Sequence, residues 1–395
     1  MTNREREKQT LNFGKPEGRG AVQETFFPWT LTLERFEKEG LPANIAAGAS
    51  GNSDSFKGAR LLKEEMYLQG RFGENTARYE KYLGFDPVCR IHFELPFRRF
   101  DEKIIEETSE YVIHRDVRGR QMIRYAGSSV DLEHRPVVSG MDDWEALKER
   151  GDRELEKHFT DECIQKAYGH LVEGHHRGDY SIRLNLEGFF WMHRELLGIE
   201  EQMLAFYDEP KLLHNINNYM LKIYQNQLIK VLQLVKPDVV YIMEDLSGDT
   251  GPMISLECLQ EFVGDYYKQL FPMMKEAGVG NIFVDTDGEF EMLIPYFMEI
   301  GVDGFLPMDV KAGMDIVDIR NKFPTLKFIG GYNKLAIANG KEAIDKEFER
   351  ILPVIRSGGY IPSTDHQVAP STSLKDYMYY ISQLKKVMEQ AGADL

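Results

Sequence analysis

Ile282-Phe283-Val284-Asp285-Thr286-Asp287-Gly288-Glu289 is a short apolar run that breaks into acids around one glycine. A strand covered on both faces reads as a continuous apolar run without alternation, as in parallel sheets. Where such a strand surfaces at its C-terminal end, polar residues begin, and in barrels of parallel strands that end carries the chemistry. The same pattern occurs before it, in Val239-Val240-Tyr241-Ile242-Met243-Glu244-Asp245, and after it, in Gly304-Phe305-Leu306-Pro307-Met308-Asp309. Taken singly, each acid is also what a helix cap or a turn would use. Several strands ending alike point to a shared mouth.

Working outward, the chain from residue 181 reads as repeated strand–helix units. Strand candidates are 181–186, 239–244, 281–285, 304–308, 327–330 and 359–362. Helical stretches fall at 200–234, 256–277, 288–300, 313–322, 335–337 with 342–355, and 374–391. The alternating segment 89–95 adds a seventh strand, one short of a closed set of eight. The expected fold is therefore α/β, a TIM (β/α)8 barrel with an elaborated N-terminal region. One domain is expected over 1–395, with helices and a wrap in 1–88 and the barrel in 89–395. An open doubly wound sheet is the alternative, but no GxGxxG follows a strand to support dinucleotide binding.

The N-terminal part is less regular. Residues 2–12 predict a helix, with Thr2 as N-cap and Glu5 as its capping-box partner. Residues 14–51, including Phe26-Phe27-Pro28-Trp29, read as a wrap on the main body, 52–58 as a loosely ordered polar tip, and 60–83 as helix. A hairpin is expected near 110–125, turning through Val117-Arg118-Gly119. Residues 142–173 read as helical, and His170, His175 and His176 as belonging to a solvated surface loop.

Bulk properties narrow the function. The 395 residues are 42% hydrophobic and 11% aromatic, enough for a sizeable core, and carry a formal net charge of −16. That charge repels nucleic acid and anionic membranes. Cys89, Cys163 and Cys258 are too scattered for a disulfide framework or a cysteine zinc site. No signal-like segment and no apolar run of roughly 18 residues occurs, so a cytoplasmic protein is expected. A homodimer is the usual prior for such barrels.

The strand ends collect Asn185 and Glu187, Glu244 and Asp245, Asp285 and Asp287, Asp309, Tyr332 and Asn333, and Asp365 with His366. Carboxylates gathered in one cavity must be protonated, paired with Arg or Lys, or bound to a cation. His366, Asp287 and Glu244 are the candidate acid–base residues. Phe189 and Trp191 with Arg194 form a candidate wall and grip for substrate, alongside Asp245, Tyr332 and Asn333. Asp285, Asp287, Asp309 and His366 are the candidate ligands of zinc or another divalent metal. The alternative for the mouth is a metal-free acidic pocket that positions substrate.

These features resemble the uroporphyrinogen decarboxylase superfamily over nearly the whole chain. Thr2-Asn3-Arg4-Glu5-Arg6 is similar to its N-terminal helix. Met243-Glu244-Asp245 with Gly251-Pro252-Met253-Ile254-Ser255 resembles its acidic strand end and following segment, and Gly330-Gly331 and Asp365-His366 with Pro370 also fit. The resemblance implies a TIM barrel and one of two activities. The decarboxylase branch acts on a tetrapyrrole without a cofactor and holds its carboxylates with an RxPxWxMRQAGR motif. Here Phe27-Pro28-Trp29-Thr30 stands without MRQAGR. The methyltransferase branch works with corrinoid proteins or coenzyme M, and a zinc ion on a His-x-Cys pair and a later cysteine activates a thiol. Here Asp285 and Asp287 stand at the pair, and Thr364-Asp365-His366 in the region of the later cysteine. The segments 187–198 and 363–366 are most similar to methyltransferase-like members. The resemblance thus implies methyl transfer between a small O- or N-methylated compound and a corrinoid partner protein. Tetrapyrrole decarboxylation and a non-catalytic metabolite-binding barrel are the alternatives.

Overall fold

The computed structural model describes residues 1–46, 67–69, 74–128 and 131–394. The strands of its main sheet are numbered β1 (Leu68–Gln69), β2 (Val88–Phe93), β3 (Ser181–Glu187), β4 (Val239–Met243), β5 (Asn281–Thr286), β6 (Gly304–Pro307), β7 (Lys327–Tyr332) and β8 (Tyr360–Thr364). Spatial order follows chain order. β1 runs antiparallel to β2, and β2 to β8 are parallel. Every residue of β5, β6 and β8 is buried, which is why Ile282–Val284 and Gly304–Pro307 read as apolar runs without alternation. The sheet curls into a TIM-like barrel with helices outside, such as Pro210–Ile223, Lys341–Ser357 and Leu374–Asp394.

Two apolar bodies hold it together. The larger lies between sheet and helices. The smaller consists of Leu11, Val239, Phe283, Leu306, Ile329 and Ile361, with Tyr241 packed on it, and fills the barrel axis. Leu11 comes from the helix Asn3–Leu11, which carries the expected Thr2–Glu5 capping box and plugs the N-terminal end of the barrel. Charge is buried there in satisfied form. Glu7 accepts from Gln23 at 2.6 Å, from Arg183 at 3.2 Å and from the Ser181 hydroxyl.

Among the described residues no strand pairs β8 with β2. Residues 21–27 occupy this seam. On the β2 side, Val22 exchanges hydrogen bonds with Asp86 and the Glu24 carbonyl accepts from Arg90 at 2.8 Å. On the β8 side, the Glu24 carboxylate accepts from the backbone N–H of Thr364 at 2.9 Å and its hydroxyl at 3.0 Å, and from Tyr380 at 2.9 Å.

Several local expectations change. The insertion is larger than a hairpin: Lys103–Glu107, Tyr111–Arg115, Gln121–Tyr125 and Leu132–Arg135 form a four-stranded antiparallel sheet. Its outer strands, Lys103–Glu107 and Leu132–Arg135, are fully exposed and lack the alternation that marks a half-buried strand. Within 60–83 only Glu74–Leu83 is helix, and Leu68–Gln69 is strand; 52–58, 60–66 and 70–73 lie outside the described residues. The wrap contains a helix, Thr30–Lys38. The stretch 142–173 is divided into Met141–His158, Asp161–Tyr168 and a turn leading to the helix Val172–Arg177. His175 lies on that last helix and not in a solvated loop: it is buried, with Nε2 2.8 Å from Asp238. A hydrophilic sequence can hide one buried ion-paired residue, which is what misled the reading. Among the described residues no helix is long and apolar enough to cross a membrane.

Candidate active site at the barrel mouth

The opening stretch ends where the expected mouth lies. Asp285 is the fifth residue of β5, and Asp287 follows the strand. Gly288 turns the chain with φ +77, and a Cβ there would meet the Gly248 carbonyl oxygen at 2.6 Å, so only glycine lets the two loops close. The loop after β8 brings His366 to Asp287, with Nε2 3.2 Å from Oδ2. Phe26, from the seam segment, stacks on the imidazole at 5.2 Å and 9°. Burial opposes the imidazolium, but the hydrogen bond to Asp287 and its charge outweigh it, so the His366 pKa is raised. His366 Nδ1 has no hydrogen-bond partner among the described residues.

A cavity of about 280 Å³ opens here, lined among others by Asp249, Asp287, Asp309, Lys311, Asn333 and His366. Asp365 also lines it and is fixed by the backbone N–H groups of Val310 at 3.2 Å and Lys334 at 3.1 Å. Asp309 accepts from Ala312 N–H at 3.3 Å. Asn333 lines the cavity while capping the helix Lys334–Ala338 through Leu335 N–H at 3.0 Å.

Beside the cavity, Asp245 pairs with Arg194, whose guanidinium lies 5.6 Å from the Trp191 ring. Asp245 has φ +47 and Met308, just past β6, has φ +62. Non-glycine residues in this region cost energy, and such strain concentrates at functional sites. Asp285 is 7% exposed, and its backbone carbonyl accepts from the N–H groups of Glu244 at 2.9 Å and Asp245 at 3.2 Å. Burial, then the charge of Asp287, pushes its pKa well above the ordinary carboxylate value and favours the protonated form.

Three expected site residues face elsewhere. Glu244 is fully buried and accepts from Phe189 N–H at 3.1 Å, Trp191 N–H at 2.9 Å and the Tyr267 hydroxyl. Its carboxyl group caps the first N–H groups of the helix Phe189–Leu197, and Gly188 makes room for it: a Cβ there would meet Glu244 Cδ at 2.1 Å. Burial raises its pKa to about 7. Phe189 is fully buried against Tyr266 and Tyr267. Tyr332 is fully buried between Phe348 and Tyr380. The expected metal set is not assembled either. Among the described residues no three His, Cys, Asp or Glu side chains are placed to hold a metal ion, because Asp309 turns to its own loop and Asp285 is sunk below Asp287.

An arginine cluster escaped the sequence reading. Arg98 and Arg99 follow β2, and Arg118 and Arg120 reach over from the turn of the antiparallel sheet. Glu94 bridges Arg99 and Arg118, and Glu195 pairs with Arg98 and lies 3.7 Å from Arg120. Glu187 joins Arg98 at 3.1 Å. The arginines fall in two places along the sequence, 98–99 and 118–120, and the only available signal was Arg118 in the expected turn.

The family model described as uroporphyrinogen decarboxylase (URO-D) matches residues 194–387. A methyltransferase from Methanosarcina mazei is similar in structure, with a TM-score of 0.55 at 12% identity, over 98% of each chain; that likeness is one of fold. A Listeria monocytogenes chain described as a vitamin-B12-independent methionine synthase matches with a TM-score of 0.37 at 12% identity, over 95% of this chain and 96% of that one. A search of curated proteins finds no match. The acidic strand ends, the paired glycines of β7 and the Asp365-His366 terminus of β8 at one mouth all lie within residues 194–387, which carry the uroporphyrinogen decarboxylase family domain.

Proposed function

We propose that this protein is an enzyme that moves a methyl group from a small O- or N-methylated compound to a corrinoid protein. The observation that carries the reading is the His366–Asp287 pair in the mouth cavity, 3.2 Å apart, in which Asp287 raises the imidazole pKa and favours its protonated form. Breaking a C–O or C–N bond leaves the electron pair on oxygen or nitrogen, and an alkoxide or amide anion leaves poorly unless it is protonated. Nε2 of His366 is engaged by Asp287, so Nδ1 is the atom that would deliver the proton. Asp285, buried beneath the pair, is pushed toward its neutral form, which limits the negative charge beside the departing group. The superfamily and the shared fold of a methyltransferase support the same reading.

The reduced cobalt of a corrinoid would supply the nucleophile that accepts the methyl group. A cavity of about 280 Å³ suits a small donor and not a tetrapyrrole macrocycle, so the corrinoid is read as approaching from outside on its carrier. The decarboxylase alternative is less supported. A polycarboxylate would meet Asp249, Asp287, Asp309 and Asp365 in the cavity, and Arg194 beside it already pairs with Asp245. The test is to incubate the protein with cob(I)alamin and a panel of methyl ethers and methylamines, following the cobalamin absorbance. Turnover with one donor, lost in His366→Ala, is expected. No methyl transfer from any donor, or conversion of uroporphyrinogen to coproporphyrinogen, would overturn the reading.

A further inference from the structure

Half-buried residues in the middle of otherwise covered strands mark open space inside the barrel. His92 of β2 is half-buried between Ile91 and Phe93, at 2% and 0% exposure. Asn185 of β3 is half-buried between Leu184 and Leu186, and Tyr241 of β4 between Val240 and Ile242, all four neighbours at 0%. The three are register partners, His92 opposite Asn185 and Asn185 opposite Tyr241, so their side chains share one face of the sheet. That face is the axial one, since Tyr241 packs on the apolar plug of Val239, Phe283 and Leu306. An imidazole, an amide and a phenol therefore stand in a row above the plug. Asp285 lies two residues beyond Phe283, the partner of Tyr241, which is roughly 7 Å further toward the mouth.

The row is polar but uncharged. Burial lowers the His92 pKa against the opposing pull of Glu94 and Glu187, leaving the imidazole neutral at pH 7. Burial likewise raises that of Tyr241. The cations whose charge reaches the row are paired: Arg90 with Glu80 at 2.6 Å, Arg183 with Glu7 at 3.2 Å, and Arg99 and Arg118 with Glu94. An anionic ligand group would lose its hydration here without a counter-charge, whereas a hydroxyl or carbonyl would exchange water for equivalent hydrogen bonds. The interior of a barrel this size admits only a slender group.

We propose that His92, Asn185 and Tyr241 form an axial subsite that takes an uncharged hydroxyl- or carbonyl-bearing end of the ligand. This rests on the barrel mouth being the binding site, and not on methyl transfer. The test is calorimetry on the intact protein with three ring probes: catechol, benzoate and toluene. Catechol is expected to bind at least tenfold more tightly than the other two. Tyr241→Phe, which removes one oxygen, and Asn185→Ala should each weaken catechol roughly three- to tenfold, the effect of losing one hydrogen bond, with unchanged circular dichroism. No catechol binding, equal binding of benzoate or toluene, or undiminished binding in both variants would overturn the proposal. The wild-type preference decides the matter even if a variant misfolds. Catechol binding without methyl transfer in the cobalamin assay would sink the proposed activity and leave the subsite standing; the reverse result would do the opposite.

Discussion

Replacing Asp287 with asparagine keeps the shape of the side chain and removes its charge, and should lower the midpoint of His366. Hydrogen bonds to charged groups contribute roughly 1.5–3 kcal/mol. Asp287 is 43% exposed, so solvent screening places the pair near the lower end of that range. Losing the carboxylate charge should therefore cost the imidazolium about 1.5 kcal/mol and move its midpoint down. The sign follows from linkage. A histidine whose folded pKa is raised contributes stability fully below its unfolded value, and loses it as pH rises through the folded value. Wild type and Asp287→Asn should therefore differ in stability most at mildly acidic pH and converge above the wild-type midpoint. The alkaline limb of any acid-dependent turnover should move down with the midpoint. An NMR titration of the His366 Cε1 proton reads the midpoint directly. An unchanged or higher midpoint in Asp287→Asn would show that the pair does not hold the imidazolium, and the assignment of His366 as the acid would fall with it.

Glu244→Ala should destabilise the fold by about 2–4 kcal/mol, since it leaves the first N–H groups of the helix Phe189–Leu197 and the Tyr267 hydroxyl without an acceptor. Urea unfolding measures this, and Glu244→Gln should cost less. A loss below about 1 kcal/mol in the alanine variant would argue against the capping role. The whole protein should also lose stability between about pH 5 and 8. Glu24 and Glu244 both have pKa values raised to about 7 by burial, so the folded state prefers their protonated forms. That preference is fully present below pH 4.5 and fades as pH rises through about 7. Thermal melts at pH 5.5 and 8 compare the two conditions, and a higher melting temperature at pH 8 would contradict it.

The barrel was legible because burial on both faces leaves a direct mark on sequence, and the runs 239–243, 281–286 and 304–307 carry that mark with little interruption. The capping box at Thr2 was legible for a similar reason, because the interaction is local. Site membership was harder. Glu244 and Asp245 are neighbours at one strand end, yet one caps a helix from within the core and the other pairs with Arg194 at the mouth. The difference arises because φ +47 at Asp245 turns the chain, a backbone property that residue identity does not announce. The axial row was missed for the converse reason. His92, Asn185 and Tyr241 stand inside three different strands, and their meeting depends on the register between those strands, which local sequence does not carry.

The closure of the barrel and the aim of His366 are one structural arrangement. Seven parallel strands leave a seam, and residues 21–27 fill it through Val22 and Glu24 on one side and Thr364 on the other. The same segment places Phe26 flat on the His366 ring, two residues after the Thr364 that Glu24 holds. Asp287 fixes one ring nitrogen, but a single hydrogen bond leaves the ring free to rotate about that contact. The stacked phenyl fixes the plane, and the two together determine where Nδ1 points. The glycine- and aromatic-rich N-terminal stretch thus does more than cover the body of the barrel. It supplies the surface against which the imidazole is oriented, which places part of the site nearly 340 residues from His366 in the chain.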